Sequence, residues 1–293
     1  MNKIITKFSN PISELVKKRY SCRTYNSMPL SASTQRKLKK FIHSLPSGPF
    51  FSQSRFELIA ATDQDSNELS SLGTYGFIKN APAYIVGATE LTGKNLEDFG
   101  YLMEAIILFA TDLDLGTCWL GGTFTRSSFA EKIKIADDET IPAVISVGYP
   151  ASNPRKFDSR IRQTAGSDHR LPWEELFFNG GLSTPLTPAQ AGEYKLPLEM
   201  VRLAPSASNK QPWRILKTDH FFHFYLRRTP GYLEKFYTKL IKIEDLQRVD
   251  IGISLCHFEF TTRDLGLEGK WEIHKETARK YNLDDEYVVS WVL

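Results

Sequence analysis

The chain repeats itself. Pro29-Leu30 returns as Pro185-Leu186 and Thr62-Asp63 as Thr218-Asp219, each 156 positions later. At the same spacing Pro49 falls opposite Pro205 and Ile59 opposite Ile215, and Asp114-Leu115-Gly116 returns as Asp264-Leu265-Gly266 after 150 positions. Two dipeptides at one offset and a tripeptide near it point to an ancient duplication, which restricts the fold to two related units packed together. The competing reading is two α/β units that merely share common residues. A length of 293 residues agrees with two units, since domains run to roughly 150 residues.

Composition removes several classes of function. Hydrophobic residues at 41% and charged residues at 24% are the balance of a globular protein. With 37 Lys+Arg against 34 Asp+Glu, the net charge of +3 argues for no nucleic-acid partner and no anionic membrane. Cys22, Cys118 and Cys256 are too few and too scattered for a disulfide framework and fit a reducing compartment. The first 18 residues have no apolar block, so they are no signal peptide. The most apolar stretch, residues 101–110, contains Glu104 and is too short to span a bilayer. A cytoplasmic protein is expected.

Asn10 as N-cap, Pro11 at the first helical position and the stripe Ile12, Leu15, Val16 predict a helix ending near Lys18. A second helical pattern starts at Pro29 and runs to about Ile42. Residues 56–61, 83–87, 141–148 and 213–216 read as strands. Leu102, Ile106, Phe109, Ala110 and Leu113 give residues 98–115 a helical period with almost no charge, so that helix is expected to be buried nearly all round. Residues 167–188, with Gly180 and Gly181, read as the connection. The expected units are residues 1–175 and a shorter second half, 176–293.

Two segments could carry chemistry. In Arg19-Tyr-Ser-Cys-Arg-Thr-Tyr25 the residues Arg19, Ser21 and Arg23 alternate, so an extended chain points all three the same way. Two guanidinium forks and a hydroxyl suit a phosphate monoester, and a solvated basic turn is the plainer alternative. In Ala204-Pro-Ser-Ala-Ser-Asn-Lys-Gln-Pro-Trp213, small residues would let main chain approach a flat ligand while Ser206, Asn209 and Gln211 offer hydrogen bonds. A capped loop explains that composition equally well.

These two segments, together with Asp114-Leu-Gly-Thr-Cys-Trp-Leu-Gly-Gly122 and Val147-Gly-Tyr-Pro150 followed by Arg160-Ile-Arg162, resemble the FMN-dependent nitroreductase family over nearly the whole chain. In ordinary members the Pro-Ser-x-x-Asn segment follows soon after the Arg-x-Ser-x-Arg segment, and two chains pair around each flavin. Here the first-half position reads Leu45-Pro-Ser-Gly-Pro-Phe-Phe-Ser-Gln-Ser54, a degraded version, and the second half has the loop but no arginine pair near residues 192–195. The chain is therefore similar to the duplicated single-chain TM nitroreductase subgroup, a fused pseudo-dimer whose interface has become intramolecular.

The resemblance implies an α+β fold with a mixed sheet in each half, acting as a monomer with one complete FMN site. Arg19 and Ser21 would contact the phosphate and ribityl end, joined by Arg160 and Arg162. Arg23 would sit toward the N1/O2 side of the flavin. Gly121 and Gly122 would face O4 and N5, and Pro205, Ser206, Ala207 and Asn209 would close over the ring, with Gln211 supporting the loop. NAD(P)H would deliver hydride to N5, and a small acceptor such as a nitroaromatic or quinone would then collect it, in ping-pong order. The alternatives are a flavin-binding carrier or sensor that does not turn over, and a flavin-free relic of the fold. His220, His223, His257 and His274 read as surface or strand histidines rather than metal ligands. Cys118, near the end of the core helix, reads as a packing residue, and the same holds for Trp119 and Trp213. Cys22 is assigned no chemistry.

Overall fold

The computed structural model describes residues 2–60, 69, 72–232, 243–276, 280, 281 and 284–293. Of the repeated pairs, Thr62-Asp63 lies outside them. The aromatic and β-branched segments assemble into two five-stranded sheets. The first contains β1 (Ser54–Ala60), β2 (Ala83–Glu90), β3 (Gly116–Leu120), β4 (Glu139–Thr140) and β5 (Val144–Gly148). Its order is β1-β2-β5-β3, with β4 on β2. Its ladders are antiparallel, and the parallel pairings beside them are isolated bridges, Ser21 to Thr117 of β3 and Thr24 to Lys79. The second sheet contains β6 (Phe177–Asn179), β7 (Trp213–Lys217), β8 (Phe221–Leu226), β9 (Lys270–Glu272) and β10 (Glu286–Val292), ordered β6-β7-β8-β10-β9. It is mixed, since β6 runs parallel to β7 and the other pairs are antiparallel.

Among the described residues the α-helices in chain order are α1 (Asn2–Ile5), α2 (Ile12–Lys18), α3 (Ala32–Ile42), α4 (Asn95–Asp112), α5 (Arg126–Ile133), α6 (Lys156–Thr164), α7 (Trp173–Leu176), α8 (Pro188–Ala191), α9 (Lys195–Leu203) and α10 (Leu246–Asp264). Helix α4 packs on the first sheet, α10 on the second, and the two pack on each other. With a sheet on one side and a helix on the other, neither has a solvent face. Every residue from Asn95 to Thr111 is buried, as is every residue from Val249 to Thr262. One hydrophobic core runs through both halves.

The duplication is visible in the packing. Gly100 lies against the Val249 carbonyl and Gly252 against the Glu97 carbonyl, so closely that a Cβ at either glycine would collide with the opposing backbone. Glu97 and Val249, like Gly100 and Gly252, stand 152 positions apart. Contact i to j and its counterpart j to i is what a two-fold interface requires, here within a single chain. The helix caps repeat as well. Ser31 accepts from the Thr34 N–H at the start of α3, and 156 positions on Thr187 accepts from the Gln190 N–H within a capping box on α8.

Some local expectations are corrected. Pro11 takes the N-cap position of α2, and the Asn10 carboxamide instead donates to Asp112 at 2.7 Å. The core helix starts earlier, at Asn95, and ends at Asp112, which leaves Cys118 on β3. Residues 167–188 are more than a connection: they hold α7 and β6, because Phe177 and Phe178 bury their rings in the second sheet. His257 is neither on the surface nor in a strand but buried in α10. Among the described residues no helix is long and apolar enough to cross a membrane.

Candidate functional site

A cavity of about 660 Å³ opens between the halves, within the range of small-molecule sites. Its first wall begins where α2 stops. Arg19 closes that helix with its N–H on the Leu15 carbonyl and then turns extended, and Cys22 N–H pairs with the Thr117 carbonyl at 2.8 Å. In this extended segment Arg19, Ser21 and Arg23 all line the cavity, joined by Tyr20. Cys22 points away and is buried against Gly116. Gly121 and Gly122 line it just beyond β3. A Cβ on Gly121 would come within 2.6 Å of Leu246 Cδ1, and one on Gly122 within 2.9 Å of Ile243 Cδ1, so the missing side chains let Leu246 and Ile243 pack close against this edge of the cavity.

The wall is cationic. The Arg19 side chain is only 8% exposed, and its Nε has no hydrogen-bond partner among the described residues. Burial lowers its pKa and Glu104, 3.9 Å away, opposes that. Glu104 also accepts from the Trp119 indole N–H at 2.9 Å and faces His257 Nε2 at 2.9 Å, while His257 Nδ1 faces the Met200 carbonyl. Arg162 lines the cavity, pairs with Asp168 at 2.6 Å and lies over the Tyr20 ring. Arg160 does not line it. Residues 156–164 form a helix, where two positions are about 200° of rotation, and Arg160 is on the exposed side.

The second wall is the loop after α9. Ser208, Asn209 and Gln211 all have left-handed backbone, with φ of 51°, 53° and 49°. Three such residues in one short loop persist only where the surroundings impose them, a pattern that clusters at ligand sites. The imposed contacts are present. Asn209 Nδ2 donates to the carbonyls of Gly166 and His169 at 2.7 and 2.9 Å, and its Oδ1 accepts from Arg170. Gln211 accepts the Leu171 N–H at 2.9 Å, and Ser206 Oγ accepts the Gln211 N–H at 2.9 Å. Pro205, Ser206, Ala207 and Asn209 line the cavity; Gln211 lies behind it and holds the loop. Asn209 therefore clamps the loop onto the first half with all of its carboxamide.

Of the lining residues that the sequence reading does not single out, Arg170 and Asp250 bear most on the site. Arg170 fixes the walls through the carbonyls of Ser167, His169 and Leu203, and its Nε finds no partner among the described residues. Its position in a segment read as a connection hid it. Asp250 lines the cavity from α10, and the repeat could have disclosed it, since Asp98 stands 152 positions earlier. The three thiols are buried, and burial pushes Cys22 up to about 11 and raises Cys118 and Cys256. None is a ready nucleophile.

Two sheets enclosing a crossed helix pair, with a cationic cleft between the halves, define an internally duplicated α+β protein of the nitroreductase fold. The sequence matches the family described as "Putative TM nitroreductase" over residues 11–262, and the chain belongs to that family. It is similar in fold to the crystal structure of a putative nitroreductase from Thermotoga maritima, 21% identical, covering 97% of this chain and 94% of that one with a TM-score of 0.59. A nitroreductase family protein from Clostridium novyi aligns over 50% of this chain and 89% of its own, at 24% identity and a TM-score of 0.41. One from Clostridium difficile aligns over 57% and 95%, at 21% identity and a TM-score of 0.41. No curated protein matches.

Proposed function

We propose that the cavity binds one FMN and that the protein is an FMN-dependent oxidoreductase, taking hydride from NAD(P)H and passing it to a small acceptor such as a nitroaromatic or a quinone. The observation that carries this reading is the buried guanidinium of Arg19. Its Nε makes no hydrogen bond among the described residues, with the Glu104 carboxylate 3.9 Å away, and it lines one cavity with Ser21, Arg23 and Arg162. A buried cation whose donor lacks a hydrogen-bond acceptor is only partly compensated by a carboxylate at that distance, and a phosphate would supply the missing acceptor. The donor set, the glycines at positions 121 and 122 in the lining and the cavity volume all fit this cofactor.

When bound, FMN supplies reversible two-electron chemistry at N5. The chain's own residues bind and orient. Arg19 and Ser21, with Arg162, hold the phosphate end. Arg23 places positive charge toward the pyrimidine side of the ring, where it stabilises the reduced form. Gly121 and Gly122 let main-chain N–H groups approach the ring edge, and Pro205, Ser206 and Ala207 cover a face, held there by Asn209 and Gln211. The first half (residues 1–175) supplies the cationic residues and the second (176–293) supplies the cover, so a cytoplasmic monomer suffices.

The test is anaerobic. NADH or NADPH should bleach the visible absorption of the FMN-loaded protein, and a quinone or nitroaromatic should restore it. Protein that binds FMN but keeps its colour with both nucleotides would instead be a carrier or sensor.

A further inference from the structure

Asp98 and Asp250 occupy equivalent places in the repeat. Each lies on the long helix of its half and accepts main-chain N–H groups from the loop that precedes β1 or β7. Asp98 takes the Phe50 N–H on Oδ1 at 2.9 Å and the Ser52 N–H on Oδ2 at 2.7 Å, so both of its oxygens are committed. Asp250 takes one such bond, from the Ala207 N–H to Oδ1 at 2.9 Å. Its Oδ2 is buried with no hydrogen-bond partner among the described residues, on a side chain that lines the cavity and is only 2% exposed. The degraded loop of the first half has filled the equivalent position with its own backbone; the intact loop gives Asp250 Oδ2 no such bond.

An oxygen so placed is either an ionised acceptor awaiting a donor or a protonated donor awaiting an acceptor. The groups that act on Asp250 decide between them. Asp245, at the head of α10, is a like charge, itself paired with Arg228 at 2.6 Å. Tyr232 faces it from beyond β8, bringing no positive charge. The cavity cations, Lys17, Arg19, Arg23, Arg162 and Arg170, come from other elements, and none of them forms an ion pair with Asp250 among the described residues. Burial dominates and, with Asp245, pushes the carboxyl well above the ordinary range, which favours the neutral acid.

We propose that Asp250 is a proton-bearing carboxylic acid whose Oδ2–H donates a hydrogen bond to a carbonyl or nitro oxygen of the ligand in the cavity, either the flavin or the acceptor above it. The assignment rests on the flavin reading for its probe. Asp250→Asn keeps the pattern, with its oxygen on Ala207 N–H and its amide N–H toward the ligand, and removes the titration. Ionisation of the native carboxyl keeps the Ala207 bond and removes only the donor, so a merely structural role and a ligand role respond differently to pH.

Two measurements test this. The infrared difference spectrum of wild type against D250N should contain the carbonyl stretch of a protonated carboxylic acid at neutral pH. In wild type alone, that band should shift when FMN is added, or when 4-nitrobenzoate is added to the oxidised FMN-loaded protein; which addition moves it tells which oxygen is bound. For the ligand that moves the band, wild-type affinity should fall by up to about tenfold relative to D250N once the pH is raised far enough to abolish the band. Absence of the band with normal FMN binding, a band that neither ligand moves, or no fall in wild-type affinity relative to D250N once the band is abolished overturns the assignment alone. A wild-type protein that binds no FMN overturns the flavin reading and this assignment together.

Discussion

Glu104 of α4 and His257 of α10 meet at 2.9 Å with neither side chain exposed. The contact ties the two halves together behind the cavity, because the same carboxyl group also receives the Trp119 indole and stands beside Arg19. Removing one member of such a cluster leaves the others buried and uncompensated. Glu104→Ala should therefore lower unfolding free energy in urea by about 3–5 kcal/mol. A loss below about 1 kcal/mol would show that the cluster contributes little.

The helix crossing makes a sharper structural prediction. At Gly252 an added methyl group would meet the Glu97 backbone, which cannot move aside like a side chain, whereas at Gly93 it would find nothing within 4 Å. Gly252→Ala should destabilise by about 3 kcal/mol or more, and Gly93→Ala should stay within about 0.5 kcal/mol. Equal stability of the two variants in thermal melts would contradict the reciprocal packing.

His223 should set part of the acid limit of stability. It is fully buried, its Nδ1 bonds Ser290 Oγ at 2.6 Å, and its Nε2 has no partner among the described residues. Burial, with His274 nearby, holds it down at about 4. A base whose folded value is depressed contributes stability above its unfolded value, and that contribution is lost as pH falls through the folded one. Between about pH 6.5 and about pH 4 the wild type should thus lose on the order of 3 kcal/mol from this residue. His223→Gln should flatten that stretch of the pH–stability curve; an unchanged slope would rule His223 out.

At the cavity, Arg19→Ala should weaken FMN binding by about 10- to 100-fold, the scale of a lost charge-assisted contact. Arg36→Ala should leave it unchanged, because Arg36 is exposed on α3. Fluorescence titration distinguishes the two, and equal affinities would remove Arg19 from the phosphate site.

The architecture was legible in the sequence wherever periodicity and repetition carried it. The charge-free stripe of Leu102, Ile106 and Phe109 announces a helix with no solvent face, and the Pro-Leu and Asp-Leu-Gly repeats announce the second unit. The alternation of Arg19, Ser21 and Arg23 placed three cavity residues at once, because an extended segment has a fixed two-residue period. Arg160 and Arg162 enter by the resemblance rather than by such a period, and on α6 only Arg162 lines the cavity. Side-chain roles set by tertiary contacts were not legible. Asn209 looks like a ligand group until its carboxamide is seen bound to Gly166, His169 and Arg170. Glu104 and His257 lie 153 positions apart and share no motif.

The central claim is a single asymmetric site assembled from both halves. Arg19, Ser21, Arg23 and Arg162 come from the first half, and Pro205 to Asn209 from the second. The reciprocal position lacks an arginine pair near residues 192–195, and its loop at residues 45–54 is closed onto Asp98. Equilibrium titration of the full chain with FMN, followed by flavin fluorescence at protein concentrations well above Kd, measures this directly. Saturation at one FMN per chain is the predicted result; saturation at two, or no saturable binding, would contradict it.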